Sequence, residues 1–332
     1  MKRIGIGIIG AGHMGRVHAR VLSRDERVRI VGVCDEVNEK AELLAKQYNA
    51  KAYLDYQDLI EDPDIDAVYV TTPNAHHVKP VLCAIEHGKH IFSEKPMSTS
   101  LKSSKRILEA VKRSNVKYQV GHNRRFCPVY KKAKELITRR KVIPYIADVK
   151  IVRGELQKPS WVGDLKISGG LLYESVIHIL DLLRWLMGEV IEVNCLAKAN
   201  VYTNHPNDFV ISLKFKDNRI ASITASGHAT WIFPFERVEI YGDHSCLITE
   251  EMSKIRYSPG LKREIRTWDF SKLPIEKAWG YEEEDKLFID ALLGKEKIPV
   301  DVREGYKAVE LVEACYRSAR TGKSVELPIN DF

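Results

Sequence analysis

The sequence predicts an α/β fold: a doubly wound parallel sheet in the first third, then an α+β domain built on a large, mostly antiparallel open sheet. Three observations predict it. An Ile-rich run, RIGIGIIG, leads directly into Gly10, Gly12 and Gly15 and then a helical pattern. Short β-rich runs alternate with helical ones as far as residue 123. Beyond that point β-rich runs follow one another across short turns, which is antiparallel grammar.

At 332 residues the chain suits two domains, divided here as 1–123 and 124–332, with a cleft between them. Hydrophobic residues make up 44% and charged residues 29%, the composition of an ordinary folded chain without low-complexity tracts. The net charge of +7 is thinly spread over 52 basic and 45 acidic residues, so nucleic acid is not an expected partner. Six cysteines without a CxxC pair read as reduced thiols, and no apolar stretch is long enough to span a bilayer. Glycines interrupt the apolar start, so it does not read as a secretory signal, and a cytoplasmic protein is expected. No histidine or cysteine grouping suggests a metal site.

Strand, GxGxxG and helix in that order form a dinucleotide-binding unit of the Rossmann type. The glycines allow a tight turn and close backbone approach, and the helix opening at His13 and Met14 offers free N–H groups to a pyrophosphate. The next strand, RIVGVCD, ends at Asp35, twenty residues after Gly15, where a carboxylate accepts from both ribose hydroxyls and repels a 2′-phosphate. NAD is therefore expected in preference to NADP. Helices follow near Asn38–Tyr48 and Tyr56–Ile60, then the strand DAVYVTTP, whose end brings Thr72, Pro73 and Asn74 towards a dinucleotide. A helix closed by Gly88 leads to the strand HIF and to Glu94, Lys95 and Pro96. A lysine at such a strand end can exchange a proton with the oxygen of an alcohol or carbonyl during hydride transfer, and Glu94 can meet ribose hydroxyls. The same two residues also suit an ordinary Glu–Lys pair on a loop.

After a helix at 128–140, the runs YIADVKIVRGEL, VIEVNCLAKANV, DFVISLKF, RIASITASGHA, ERVEIYG and EIRTWDF give the second sheet. The helix expected over 169–188 places Glu174, His178 and Asp181 at i, i+4 and i+7 on one face, amid apolar side chains. Buried groups of this kind need partners or a ligand; Glu174 with His178, and Asp181 with Arg184, satisfy each other in a purely structural reading.

The segments GIIGAGHMGRVHA, DAVYVTTPNAHH, GKHIFSEKP, VGHNRRF, GGLLYESVIHILDLLRWL and the closing run from LFIDALLGK resemble the glucose-fructose oxidoreductase and inositol dehydrogenase family, Gfo/Idh/MocA, over nearly the whole chain. The resemblance implies tightly bound pyridine nucleotide, a catalytic Lys95 followed by a cis proline at Pro96, and His77 beside the cofactor. It also implies His178 beside the substrate, with Glu174 standing where the family usually has Asp, and Asp181 in a structural role. A homodimer or homotetramer through the second sheet is part of the same expectation.

The mechanism this suggests has a secondary alcohol of a sugar or cyclitol giving its proton to His178, oriented by Glu174, while Lys95 hydrogen-bonds the same oxygen and a hydride passes to the nicotinamide. Asn123 and Arg124 are expected to face cofactor or substrate, and Trp161 either stacks on a sugar or fills packing. A redox-neutral, NAD-using glycoside-cleaving enzyme and a non-catalytic NAD(H) sensor are the alternatives.

Overall fold

In the computed structural model, which describes residues 3–154, 159–201, 205–230, 234–261 and 263–330, the Ile-rich opening run is strand β1 (Ile4–Ile9). It is followed by β2 (Val28–Cys34), β3 (Lys51–Tyr53), β4 (Ala67–Val70), β5 (His90–Glu94) and β6 (Tyr118–Gly121). These six pair in parallel in the order β3-β2-β1-β4-β5-β6. The chain builds outward from β1 in one direction, then restarts on its other side with β4. The β1 and β4 ends therefore flank the point where strand order reverses, the place such sheets leave for a ligand. Helices His13–Leu22, Asn38–Gln47, Tyr56–Glu61, Val78–Glu86 and Leu101–Lys112 make the crossovers. Every residue of β4 and β6 is buried, which is why these strands read as unbroken apolar runs rather than alternating ones.

The second sheet has nine strands: β7 (Pro144–Val152), β8 (Val190–Lys198), β9 (Asp208–Phe215), β10 (Ile220–Ser226), β11 (Glu236–Gly242), β12 (Ser245–Glu250), β13 (Lys254–Ser258), β14 (Arg266–Asp269) and β15 (Val325–Glu326). Their order is β14-β13-β12-β11-β7-β10-β9-β8-β15, all antiparallel except the β7–β10 pair. β12, β13 and β15 were not among the strands expected from the sequence. The expected strand end at residues 155 and 156 lies outside the described residues. Register places outward-facing apolar residues side by side: Tyr241 opposite Ile146, Ile146 opposite Ile220, and Leu196 opposite Val210. All five are exposed, whereas the alternate residues of the same strands, such as Val149, Ile211 and Ile223, are buried.

Close contacts gather residues 1–122 with 281–309 in one unit and 123–280 with 310–332 in the other, which differs from a single division after 123. The returning stretch supplies Phe288 and Ile289 to the core around Ile6, Ile8, Leu22, Tyr69 and Phe92. Its backbone joins β6 as well: Val120 N–H donates to Val300 O at 3.0 Å, and Gln119 Nε2 donates to Glu284 O at 3.2 Å.

In the second unit a buried ion pair fixes the helix expected to carry the site. Arg125 donates from Nε and Nη2 to the two oxygens of Asp181, at 2.8 and 2.5 Å, and Asp181 is fully buried. Arg184, the partner expected from sequence, stands farther off at 4.0 Å. Removing one partner of a buried pair leaves the other charged in a dry interior. Arg125→Ala should therefore lower the unfolding free energy by about 3–5 kcal/mol, read as a fall in the urea midpoint; a midpoint unchanged from wild type would contradict the assignment.

Candidate active site

In the first unit the site is built at the carboxyl ends of β1, β4 and β5. The three motif glycines have three separate reasons to be glycine. Gly10 has φ +104°, and a Cβ there would stand 2.8 Å from the Thr71 backbone. A Cβ on Gly15 would fall 2.0 Å from Gly10 O, so this residue lets the helix pack against the turn. At Gly12 a Cβ would meet nothing within 4 Å. The backbone there faces open space, and Gly12 caps the His13–Leu22 helix without any side-chain hydrogen bond. A bare turn and a helix N-terminus with unsatisfied N–H groups fit a pyrophosphate.

Asp35, just past β2, accepts from Ala11 N–H at 2.8 Å and from Val37 N–H at 3.0 Å. One oxygen thus braces the glycine turn, and both retain lone pairs for ribose hydroxyls. Past β4, the Thr72 hydroxyl is buried without a hydrogen-bond partner in the protein, as a group reserved for a ligand would be. Asn74 is buried in the short 3₁₀ turn that follows. These residues fit a dinucleotide such as NAD: Gly10, Gly12, His13 and Met14 at the pyrophosphate, Asp35 at the adenosine ribose, and Thr72, Pro73 and Asn74 along the remainder.

The Lys95 backbone is held from both sides. Glu94 Oε2 accepts from Lys95 N–H at 3.1 Å, and His77 Nδ1 lies 2.7 Å from Pro96 O while its Nε2 lies 2.7 Å from Thr72 O. The Lys95–Pro96 bond is cis, as the resemblance implies. The His77 ring thus lies between the Pro96 and Thr72 carbonyls, and as a neutral imidazole it donates its single N–H to one of them. Burial outweighs those two carbonyls and sets the His77 pKa below its ordinary value.

Glu94 is more deeply engaged than the sequence suggests. Its Oε1 lies 3.2 Å from His18 Nε2, and His18 Nδ1 lies 2.9 and 3.0 Å from the oxygens of Asp285. Burial alone would strip the His18 proton, but Asp285 and Glu94 outweigh it and push its pKa up to about 10. Burial likewise opposes charge on Glu94, yet His18 and then Lys95 hold its carboxyl below the usual range. Sequence reasoning missed Asp285 because it comes from a helix 267 residues away from His18 along the chain.

In the second unit, Leu172–Val176 is a π-helical turn that passes into the α-helix Ile177–Met187. His178 and Asp181 keep their i, i+3 spacing in the α-helical part, while Glu174 stands inside the π turn, which adds roughly one residue to the turn. Arg153 Nη1 donates to Glu174 Oε2 at 3.2 Å, and Ser175 donates to the same oxygen. His178 is buried in the α-helical part, its Nδ1 shielded from solvent. Arg124 pairs with the buried Glu236 at 3.2 Å and stacks its guanidinium 4.9 Å from the Trp279 ring centre. Asn123 donates to Trp279 O at 2.9 Å. Trp161 lies half-buried in a single turn, Ser160–Gly163.

Residues 4–122 match the sequence model of an oxidoreductase family with an NAD-binding Rossmann fold, and residues 134–327 match that family's C-terminal alpha/beta domain. The chain belongs to the Gfo/Idh/MocA oxidoreductase family. It is thus an NAD-binding oxidoreductase. An uncharacterized oxidoreductase of Bacillus subtilis is 31% identical, over 98% of this chain and 97% of its own. A myo-inositol 2-dehydrogenase of Thermotoga maritima is 28% identical, over 97% and 98%. Levoglucosan dehydrogenase, solved with NADH and levoglucosan, shares the fold with a TM-score of 0.90 at 22% identity, over 99% of this chain and 100% of that one.

Gly12 and Gly15 should separate cofactor binding from folding in this Gfo/Idh/MocA chain. Gly12 has φ −69°, open to any residue, so Gly12→Ala should melt near the wild-type temperature yet lose NAD affinity by calorimetry. Gly15→Ala should lower the melting temperature itself. Equal NAD affinity in Gly12→Ala and wild type would contradict the cradle.

Proposed function

We propose that the protein transfers a hydride between NAD and a secondary alcohol, or the matching ketone, of a sugar, sugar derivative or cyclitol, with Lys95 and His178 handling the proton. The observation that carries this reading is Lys95 itself. It stands just past β5, in the parallel sheet whose β1 turn forms the glycine cradle, with its backbone fixed by Glu94 on one side and His77 on the other. A residue held this firmly beside a dinucleotide site suits proton exchange with a reacting oxygen.

When bound, the nicotinamide supplies the hydride acceptor or donor. The protein's own part in alcohol oxidation is to orient and deprotonate: proton transfer falls to Lys95 and His178, and hydrogen bonding from Lys95 stabilises the charge that develops on the reacting oxygen. Glu174 and Arg153 form an ion pair four residues before His178, a polar lining for hydroxyl groups. Trp161 offers a face for a sugar ring. Asp35 favours NAD over NADP by repelling a 2′-phosphate. The names of the inositol and levoglucosan dehydrogenases support a polyol or sugar substrate.

The test is absorbance at the NADH band with NAD or NADP across inositols, aldoses, uronates and amino sugars. A substrate-dependent rise with NAD should fall by about 10²–10⁴ in Lys95→Ala and His178→Ala. Full activity in Lys95→Ala would sink the assignment. Silence across the panel with NAD retained would favour the redox-neutral cleavage reading, and a rate with NADP equal to that with NAD would remove the role given to Asp35.

The exposed apolar rows of the nine-stranded sheet, Tyr241–Ile146–Ile220 and Leu196–Val210, suit burial against a second copy of the chain. Val210→Asp should reduce the mass measured by light scattering to that of one chain while NAD binding persists. A wild-type protein already of single-chain mass would overturn this part.

A further inference from the structure

We propose that His18 and Asp285 are positioning residues of the reaction: together they clamp Glu94, and through Glu94 they fix the backbone from which Lys95 reaches the substrate. The inference rests on the hydride-transfer reading only in taking Lys95 as the reacting lysine. Its basis is a chain of contacts inside the first unit. Both oxygens of Asp285 lie within 3.0 Å of His18 Nδ1, His18 Nε2 lies 3.2 Å from Glu94 Oε1, and the other Glu94 oxygen accepts from Lys95 N–H at 3.1 Å.

Each member of this chain is buried. His18 is fully buried, Asp285 is 1% exposed and Glu94 is 7% exposed. A carboxylate in such a place turns or protonates unless a cation meets it. His18 is that cation. Its ring packs against Phe92 at 4.9 Å, Tyr69 at 5.4 Å and Tyr281 at 6.0 Å, an aromatic enclosure that suits an imidazolium. The ionisable groups facing it are Asp285 and Tyr281 from the helix Tyr281–Leu292, Glu94 from β5, and Tyr69 from β4. Asp285 in turn keeps the second proton on the ring, so that Nε2 presents N–H, not a lone pair, to Glu94.

An alternative assigns the same contacts to folding alone, since the clamp also ties the returning 281–309 stretch to the His13–Leu22 helix. The two roles differ in what they move. A folding role predicts lower melting temperature with kcat per folded molecule and its pH profile unchanged. A positioning role predicts a loss of kcat at intact NAD affinity.

The experiment is a series at one position, Asp285→Asn and Asp285→Glu, measured for kcat, KM, NAD affinity and the pH profile of kcat/KM on the substrate found by the panel above. Asp285→Asn should lose roughly ten- to a hundredfold in kcat, keep its NAD dissociation constant within about twofold, and show a displaced pH profile; Asp285→Glu should recover much of the rate. A kcat and profile like wild type in Asp285→Asn would overturn the proposal. Should Asp285→Asn not fold, nitrogen chemical shifts of the wild-type His18 ring decide: an imidazolium at neutral pH is expected, and a neutral ring overturns the clamp. If the wild type oxidises nothing, the function reading fails separately. The clamp is then read from the methyl resonance of reductively methylated Lys95, identified by its loss in Lys95→Arg, which must shift between wild type and Asp285→Asn; no shift overturns it.

Discussion

The arrangement of the first unit depends on one constraint, that a charge taken out of water must be met by another. His18, Asp285 and Glu94 come from three separated parts of the sequence, and none is tolerable where it lies without the others. Meeting that requirement draws the 281–309 stretch against the helix that follows the glycine turn. The same requirement orients Glu94 at the end of β5. Fold and site are thus set by one set of contacts: the carboxylate that satisfies the buried imidazolium is also the group that braces the Lys95 peptide.

The second unit applies the constraint twice more, to a different end. Arg125 with Asp181, and Arg124 with Glu236 and Tyr130, are adjacent arginines paired to carboxylates from different elements. Neither arginine is spare for a ligand in the way the sequence expectation for Arg124 supposes, since its guanidinium already faces Glu236 and Trp279. Replacing such a pair by well-packed apolar side chains is often neutral, whereas removing one partner leaves an uncompensated buried charge. Of the two, the Arg125 pair holds the helix that carries His178, through Asp181 three residues after the histidine.

What the sequence made legible was whatever depends on neighbours along the chain. The strands at RIGIGIIG, RIVGVCD, DAVYVTTP and HIF, the glycine turn and the carboxylate at Asp35 are local patterns of period two, period 3.6 and fixed spacing, and each of those strands begins within a residue of its expected place. The strands β12 and β13 were passed over because SCLITE and KIRYS are short and carry polar or charged residues on the outward face. Long-range partners were illegible for a more basic reason. Nothing in the neighbourhood of His18 indicates that its counter-charge lies in residue 285, and nothing around Arg125 indicates Asp181.

The π turn at Leu172–Val176 is a local feature that an α-helical wheel does not anticipate. An α-helical wheel places Glu174 one turn before His178, and on that arithmetic the carboxylate orients the imidazole. In the structure residue 174 falls inside the wider turn, and Arg153 and Ser175 both donate to one of its carboxylate oxygens. The extra methylene of Glu over Asp acts in the same sense, since a longer side chain reaches a partner that a shorter one would miss. The acid at position 174 is anchored by an arginine, at a point four residues from the proposed proton acceptor. Substrate hydroxyls near this position would meet an ion pair in place of a lone carboxylate, and an ion pair both donates and accepts hydrogen bonds.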